Sequence, residues 1–410
     1  MEFKISREFL SEIEQLISEN KAQELLLLLE DIHFADIAEI MEELDDYGAA
    51  YIFNTLDSEK TAEILLELDD EVREKILRNL SPKEIAEELD ELSTDDAADI
   101  IAELPQHKKE QVISELEDVE HAKDIVDLLR YDEDTAGGLM GKELVKVNEN
   151  WNVLTCVKEM RLQAENVSRV HSIYVIDDEE RLKGRLSLKD LLTTSTKTPI
   201  SQVYIKKVDY VKVDTKDVEV ARIMQKYDLE AIPVVDELGR LVGRITIDDI
   251  IDVIKEEADK DYQLAAGISQ DVEADDSVLE LTKARLPWLV LALFGGFISV
   301  HVLGIFEPIM KLHPELFFFT PLIAAMAGNV GVQSSAIIVQ GLANNTIIGP
   351  IIERLLKELS LSLLNGVILS VILLAGSYFL LGYEIHVGYT VAIALPVSYT
   401  HLTLPTNREV

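Results

Sequence analysis

The last third of the chain contains three long stretches without a formal charge, at 286–306, 316–352 and 359–383. About 20 apolar helical residues are needed to cross a hydrocarbon core, where every backbone polar group must be satisfied within the segment. One such stretch could be a buried helix of a soluble domain; three in succession read as membrane spans. The second is expected to end near Ala343, before a polar turn at Asn344-Asn345-Thr346, and a fourth apolar run opens at Val387 and stops at Pro396. Lys283 and Arg285 precede the first stretch, and Arg354 and Lys357 separate the second from the third. Basic residues favour the cytoplasmic side, so both clusters are placed there.

Charge divides the chain at the same point. Residues 283–410 carry six basic and six acidic side chains, so the whole net charge of -38 lies in residues 1–282. That surplus argues against nucleic acid as a partner and favours cations or basic partners, although most of it is read as solvated surface. The single cysteine, Cys156, cannot form an intramolecular disulfide or a thiolate metal cluster. The N-terminal MEFKISREFLSEIEQL lacks the apolar core of a signal peptide. The acidic part is therefore expected in the cytoplasm, attached to a multi-pass membrane domain.

Two internal repeats organise the acidic part. Leu44, Leu56, Leu68, Leu80, Leu92, Leu104, Leu116 and Leu128 recur at an unbroken interval of 12, and the residue after several of them (Asp45, Asp57, Asp69, Ser81, Ser93) is a helix starter. This predicts short helices stacked in pairs of period 24 as an all-α superhelical solenoid, with the leucines in its core. Further along, 173–177 with 184–191 matches 232–236 with 243–250 at an offset of 59, each copy reading strand, turn, strand, helix. This second pattern resembles a tandem pair of cystathionine-beta-synthase (CBS) domains, which implies an α/β regulatory module and an adenine nucleotide as a candidate ligand between the copies.

No catalytic constellation is present. His171, His301 and His313 stand apart from any Cys, Ser or second His at useful spacing, and no phosphate-binding glycine loop of the nucleotide-hydrolase type occurs. The chain is not expected to be an enzyme. Two other places carry chemistry. On the helix that leads to the membrane, Asp248, Asp252, Glu256 and Asp259 share a face, with Asp249 and Glu257 near its edge. Stacked acids at that spacing destabilise a helix unless neutralised, and hard oxygen donors suit Mg2+ or Ca2+. Within the second span, Gly328, Asn329, Gln333 and Ser334 interrupt an apolar helix. Polar groups there are expected to face the bundle or a wet path, as neutral outer-shell acceptors for a hydrated ion.

The order of these parts, with Thr135-Ala136-Gly137-Gly138-Leu139-Met140, Arg285-Leu286-Pro287-Trp288-Leu289 and Gly328-Asn329-Val330-Gly331-Val332-Gln333-Ser334, closely resembles the MgtE magnesium transporters over roughly residues 20–395. The resemblance implies a homodimer of five-span subunits with an ion path on the two-fold axis. Mg2+ would be both substrate and regulator, bound between the N-terminal domain, the CBS pair and the connecting helix. It carries Asp95, Asp99, Asp248, Asp252, Glu256, Glu257 and Asp259 over as cation-sensor residues. The expected organisation is a solenoid over 1–135, CBS copies over 136–200 and 201–254, a connecting helix over 255–282 and a membrane domain over 283–395. The last holds three complete spans and the start of a fourth. Residues 396–410 resemble translated adapter sequence and are read as a non-native tail, where the family would continue into a fifth span carrying its pore carboxylate. The alternative is a membrane-anchored CBS regulatory protein that transports nothing.

Overall fold

The computed structural model describes residues 5–164, 167, 169, 170, 172–270, 272, 276–343 and 351–403. His171, the 344–346 turn and residues 404–410 lie outside them. The chain divides into two compact units, Met1–Ile254 and Lys255–Val410.

The first unit opens with α1 (Arg7–Ser18), followed by α2 (Ala22–Leu29), α3 (Phe34–Glu42), α4 (Asp46–Phe53), α5 (Ser58–Glu67), α6 (Asp70–Asn79), α7 (Pro82–Leu89), α8 (Thr94–Glu103), α9 (Gln106–Glu115) and α10 (Val119–Leu128). From α2 to α9 every helix starts 12 residues after the one before it. The joints explain why. Asp45 and Asp57 accept backbone N–H groups of Gly48 (2.8 Å) and Lys60 (3.0 Å), and Ser81 forms a full capping box with Glu84 ahead of Pro82. The leucine before each cap turns into the core: Leu68, Leu92, Leu104, Leu116 and Leu128 are buried, and Leu44, Leu56 and Leu80 half-buried.

Alternate helices stack, α3 on α5, α5 on α7, α7 on α9 and α8 on α10. Polar bonds between layers recur with the repeat. Lys60 Nζ donates to Leu29 O (2.7 Å) and Lys108 Nζ to Leu77 O (2.6 Å); Glu42 accepts from Asp69 N (2.8 Å) and Asp90 from Glu117 N (2.9 Å). Each second bond is the first displaced by 48 positions (60 to 108, 42 to 90). The two lysines thereby supply positive charge to carbonyls at helix ends.

Two three-stranded sheets follow. β1 (Val145–Asn148) pairs parallel with β2 (Ile173–Ile176), which pairs antiparallel with β3 (Leu182–Leu186); β4 (Val211–Lys212), β5 (Ala231–Val235) and β6 (Leu241–Thr246) repeat the order. Helices α11 (Val153–Gln163) and α13 (Asp217–Tyr227) make the crossovers, and α12 (Leu188–Thr193) and α14 (Ile247–Ala265) follow the last strands. The duplication reaches fine detail. Both central strands carry a register shift, at Val175/Ile176 and Val234/Val235. Both hairpins turn on an aspartate, Asp177 accepting from Glu179 N and Arg181 N and Asp236 from Leu238 N and Arg240 N.

The second unit holds the rest of α14, then α15 (Val278–Ile305), the short α16 (Glu307–Leu312) and α17 (Pro314–Phe317), α18 (Thr320–Ala343), α19 (Ile351–Phe379) and α20 (Ile385–Thr403). Helices long and apolar enough to span a membrane cover Val278–Ile305, Pro314–Ile338 and Leu356–Phe379. α19 and α20 form a hairpin sealed by small residues. Ser370 Oγ donates to Ala392 O (2.6 Å), a Cβ on Gly366 would lie 2.8 Å from Pro396 Cα, and one on Gly388 would lie 2.5 Å from Ser377 Oγ.

Two expectations about helix ends are corrected. The connecting helix does not run to residue 282: it ends at Ala265, because Gly267 takes a left-handed φ of 78° and reverses the chain. α15 begins at Val278, ahead of the uncharged run, because Ser277 and Glu280 form a capping box there. The fourth apolar segment ends at Pro396, while the helix that carries it continues to Thr403, with the proline seated on Gly366.

Candidate functional site

Ser93 is placed to cap α8, where its hydroxyl would ordinarily accept a backbone N–H. Here it makes no cap bond and instead contacts the carboxylates of Asp95 and, at 2.6 Å, Asp96. The start of the helix is satisfied from elsewhere in the chain: Thr94 N and Oγ1 donate to Glu143 at 2.9 and 3.1 Å. The Glu143 loop is drawn in further by Lys142 N donating to Thr94 Oγ1 (2.9 Å) and by the Lys142–Asp127 ion pair (2.8 Å). Gly141 makes this approach feasible, since a Cβ there would sit 2.8 Å from Asp95 Oδ2 and 3.0 Å from Glu143 Oε2. Asp249, in the first turn of α14, accepts from Thr246 N (2.9 Å) and Oγ1 (2.7 Å) and adds its charge to the same cluster.

The electrostatic consequence is uniform in direction. Burial pushes the Asp95 carboxyl up, reinforced by the charges of Asp249 and Glu143 and opposed by Ser93. Burial also raises Asp96, with the Asp95 charge adding to it, and raises Asp249 against the two Thr246 hydrogen bonds. Asp99 is pushed up to about 7 by lost hydration and by Asp95, Asp96, Glu133 and Asp249. Its side chain reaches solvent, so water screens that push. A single hydroxyl proton on Ser93 cannot satisfy two carboxylates, so this corner gains from a proton or a cation. Among the described residues no three carboxylate, imidazole or thiol groups form a ready-made metal cage. Mg2+ does not require one, since it retains several waters and is commonly held by one or two carboxylates.

Of the residues expected from sequence, the structure brings Asp95, Asp99 and the start of α14 together. Asp248 is exposed beside Asp249, and Asp252 is exposed one turn on. Glu256, Glu257 and Asp259 belong to the second unit, where Glu256 pairs with Lys260 at 2.5 Å. Sequence reasoning passed over Glu143 and Asp96 and left Asp249 at the edge of its face. The available signal was Gly-Lys-Glu at 141–143, a glycine beside charges between two repeats. In α18, Gly328, Asn329 and Gln333 lie on an open face, whereas Ser334 turns the other way and is buried with Val330. His301 is exposed on α15, and His313 Nδ1 lies 3.3 Å from Glu315.

A second feature lies between the two sheets. The Tyr174 hydroxyl is buried without a hydrogen bond of good geometry, with Arg185 of one copy and Arg244 of the other near it. Burial pushes this phenol up to about 12 against the pull of both arginines. Leu182 N donates to Gly239 O and Leu241 N to Glu180 O across the copies, both at 3.0 Å.

Family profiles match along the chain in the same order: "MgtE intracellular N domain" over 32–134, "CBS domain" over 136–196 and 200–256, and "Divalent cation transporter" over 320–406. The chain is 38% identical over 254 residues to the magnesium transporter MgtE of Thermus thermophilus, covering 61% of this chain and 56% of that one. It is 34% identical over 269 residues to the Bacillus subtilis protein of the same name, covering 65% and 59%. The chain thus spans less than two thirds of these curated relatives. Among solved structures, the cytosolic domain of the Mg2+ channel MgtE in complex with ATP is 37% identical with a TM-score of 0.55, covering 60% of this chain and 99% of that one. The soluble part of a magnesium transporter is 29% identical with a TM-score of 0.53, covering 61% and 98%.

Proposed function

Because the chain belongs to the MgtE family, we propose that it is the sensing part and the first spans of a magnesium transporter gated by cytosolic Mg2+. The observation that carries the gating is the crowding of Asp95, Asp96, Asp99, Glu143 and Asp249 between the solenoid and the start of α14. Two carboxylates about 6 Å apart repel by roughly 1–3 kcal/mol at intermediate dielectric. Several such pairs favour an opened arrangement when Mg2+ is scarce and a closed one when it is bound. Asp248, Asp252, Glu256, Glu257 and Asp259 supply further carboxylates along the connecting helix, and Gly328, Asn329 and Gln333 supply the polar side of the ion path. The homodimer implied by the family is part of the same reading, and so is a cytoplasmic position for residues 1–254. The buried Tyr174 hydroxyl flanked by Arg185 and Arg244 supports an adenine nucleotide between the CBS copies, and a relative's cytosolic domain was solved in complex with ATP.

The test is limited proteolysis of the whole chain in detergent while Mg2+ is raised to about 20 mM, with matched K+ and Ca2+ as controls. Protection near residues 135 and 200 and over 248–261 by Mg2+ alone is expected. Asp95→Asn removes one repelling charge and one ligand, and should give partial protection without Mg2+ and a weaker response to it, by about tenfold in midpoint. Digestion indifferent to Mg2+ sinks the gating.

A further inference from the structure

Twelve residues separate Ala265 from Val278, the end of α14 from the start of α15. As a free tether they would reach about 40 Å and absorb any displacement of α14. They are not free. Ser269 N and Oγ both donate to Ala284 O, at 3.0 and 2.9 Å. The Gln263 side chain holds Val272 on both sides, donating to Val272 O (2.9 Å) and accepting from Val272 N (3.3 Å). Gly267, at its left-handed φ, lies so close to Trp288 that a Cβ would stand 2.6 Å from the indole Cδ1. Ala284 is the one fully buried residue of α15. Pro287, inside the same turn of α15, has no backbone N–H to give to the Lys283 carbonyl, so the helix ladder is weakened beside Ala284.

We infer that Gln263, Gly267, Ser269, Ala284 and Trp288 form a clasp that fastens the end of α14 to the first turns of α15, so that movement of α14 is delivered to the first span. Two hydrogen bonds from one residue to a single carbonyl, beside a glycine on which an indole rests, fix distance and direction together. A mere linker would fix neither. The role rests on the cation-gated reading above.

The test uses the whole chain in detergent with Trp151→Phe, which leaves Trp288 as the only tryptophan. Trp288 emission and protease protection are followed in one Mg2+ titration. The emission is expected to change with the same midpoint as protection. Ser269→Ala removes one hydrogen bond, shifts the clasp equilibrium about fivefold toward release and should lower the amplitude while protection is retained. Gly267→Val, which cannot hold the left-handed turn under the indole, should abolish the emission change. Protection with flat Trp288 emission, or emission indifferent to both substitutions, overturns the clasp. Absence of both responses overturns the gating reading, and the role of the clasp with it.

Discussion

Glu88 accepts a hydrogen bond from Thr61 Oγ1 (2.6 Å) between stacked helices, and lost hydration pushes its carboxyl up to about 7, with Glu87, Glu91 and Asp57 adding to the shift. The folded chain therefore binds this proton more tightly than the unfolded one, so stability falls as pH rises from about 4.5 to about 7. Glu88→Gln should raise the melting temperature at pH 7.5 and flatten its dependence across that window; a melting temperature that drops equally at pH 5 and 7.5 would contradict this. Residues of this kind are hard to read from sequence, and so is the acidic site. Asp95 and Asp99 were visible through family motifs, but Glu143 and Asp249 reach Asp95 from 48 and 154 positions away. No periodicity links them, and only the folded solenoid sets them side by side.

Elements were far more legible. Several joints of the solenoid are written locally, as a leucine followed by a helix starter such as Asp45, Asp57 or Ser81, so the helix starts could be counted from the sequence. The strands were readable because the duplication repeats their pattern, down to Asp177 and Asp236. What failed was the end of α14, because its stop depends on Ala284 and Trp288, which belong to another helix. The α19/α20 hairpin is likewise a product of contact: Gly366 looks like any small residue in an apolar run until Pro396 is laid against it. Gly366→Leu should force the pair apart at a cost of about 2 kcal/mol, read as a lower melting temperature of the detergent-solubilised chain, with Gly366→Ala intermediate. Equal melting of all three would mean that the hairpin does not contribute to stability.

At the scale of the molecule, the charge is as unevenly shared as the apolar residues are. All 38 excess negative charges lie ahead of the spans, and self-repulsion on that scale works against compactness. Monovalent salt should therefore stabilise the first unit by screening, with KCl raised from about 50 to about 500 mM increasing its melting temperature. Mg2+ should achieve the same at far lower ionic strength if it binds where the carboxylates converge. A KCl series with no trend would show that the charges are already balanced locally, by pairs such as Arg73–Glu103.

The bonds that recur after 48 positions also limit how the solenoid can change over evolutionary time. Inserting or deleting a helix pair, 24 residues, keeps the spacing of the caps and leucines, whereas the interlayer lysines return only after two pairs. Losing six residues from one helix would rotate its remaining part by about 1.7 turns and put its apolar face out of register with the neighbouring layers. Viable length variants of this region should therefore come in steps, a quantum set by the joint spacing, with new pairs added toward the α1 end, away from Asp95 and its partners.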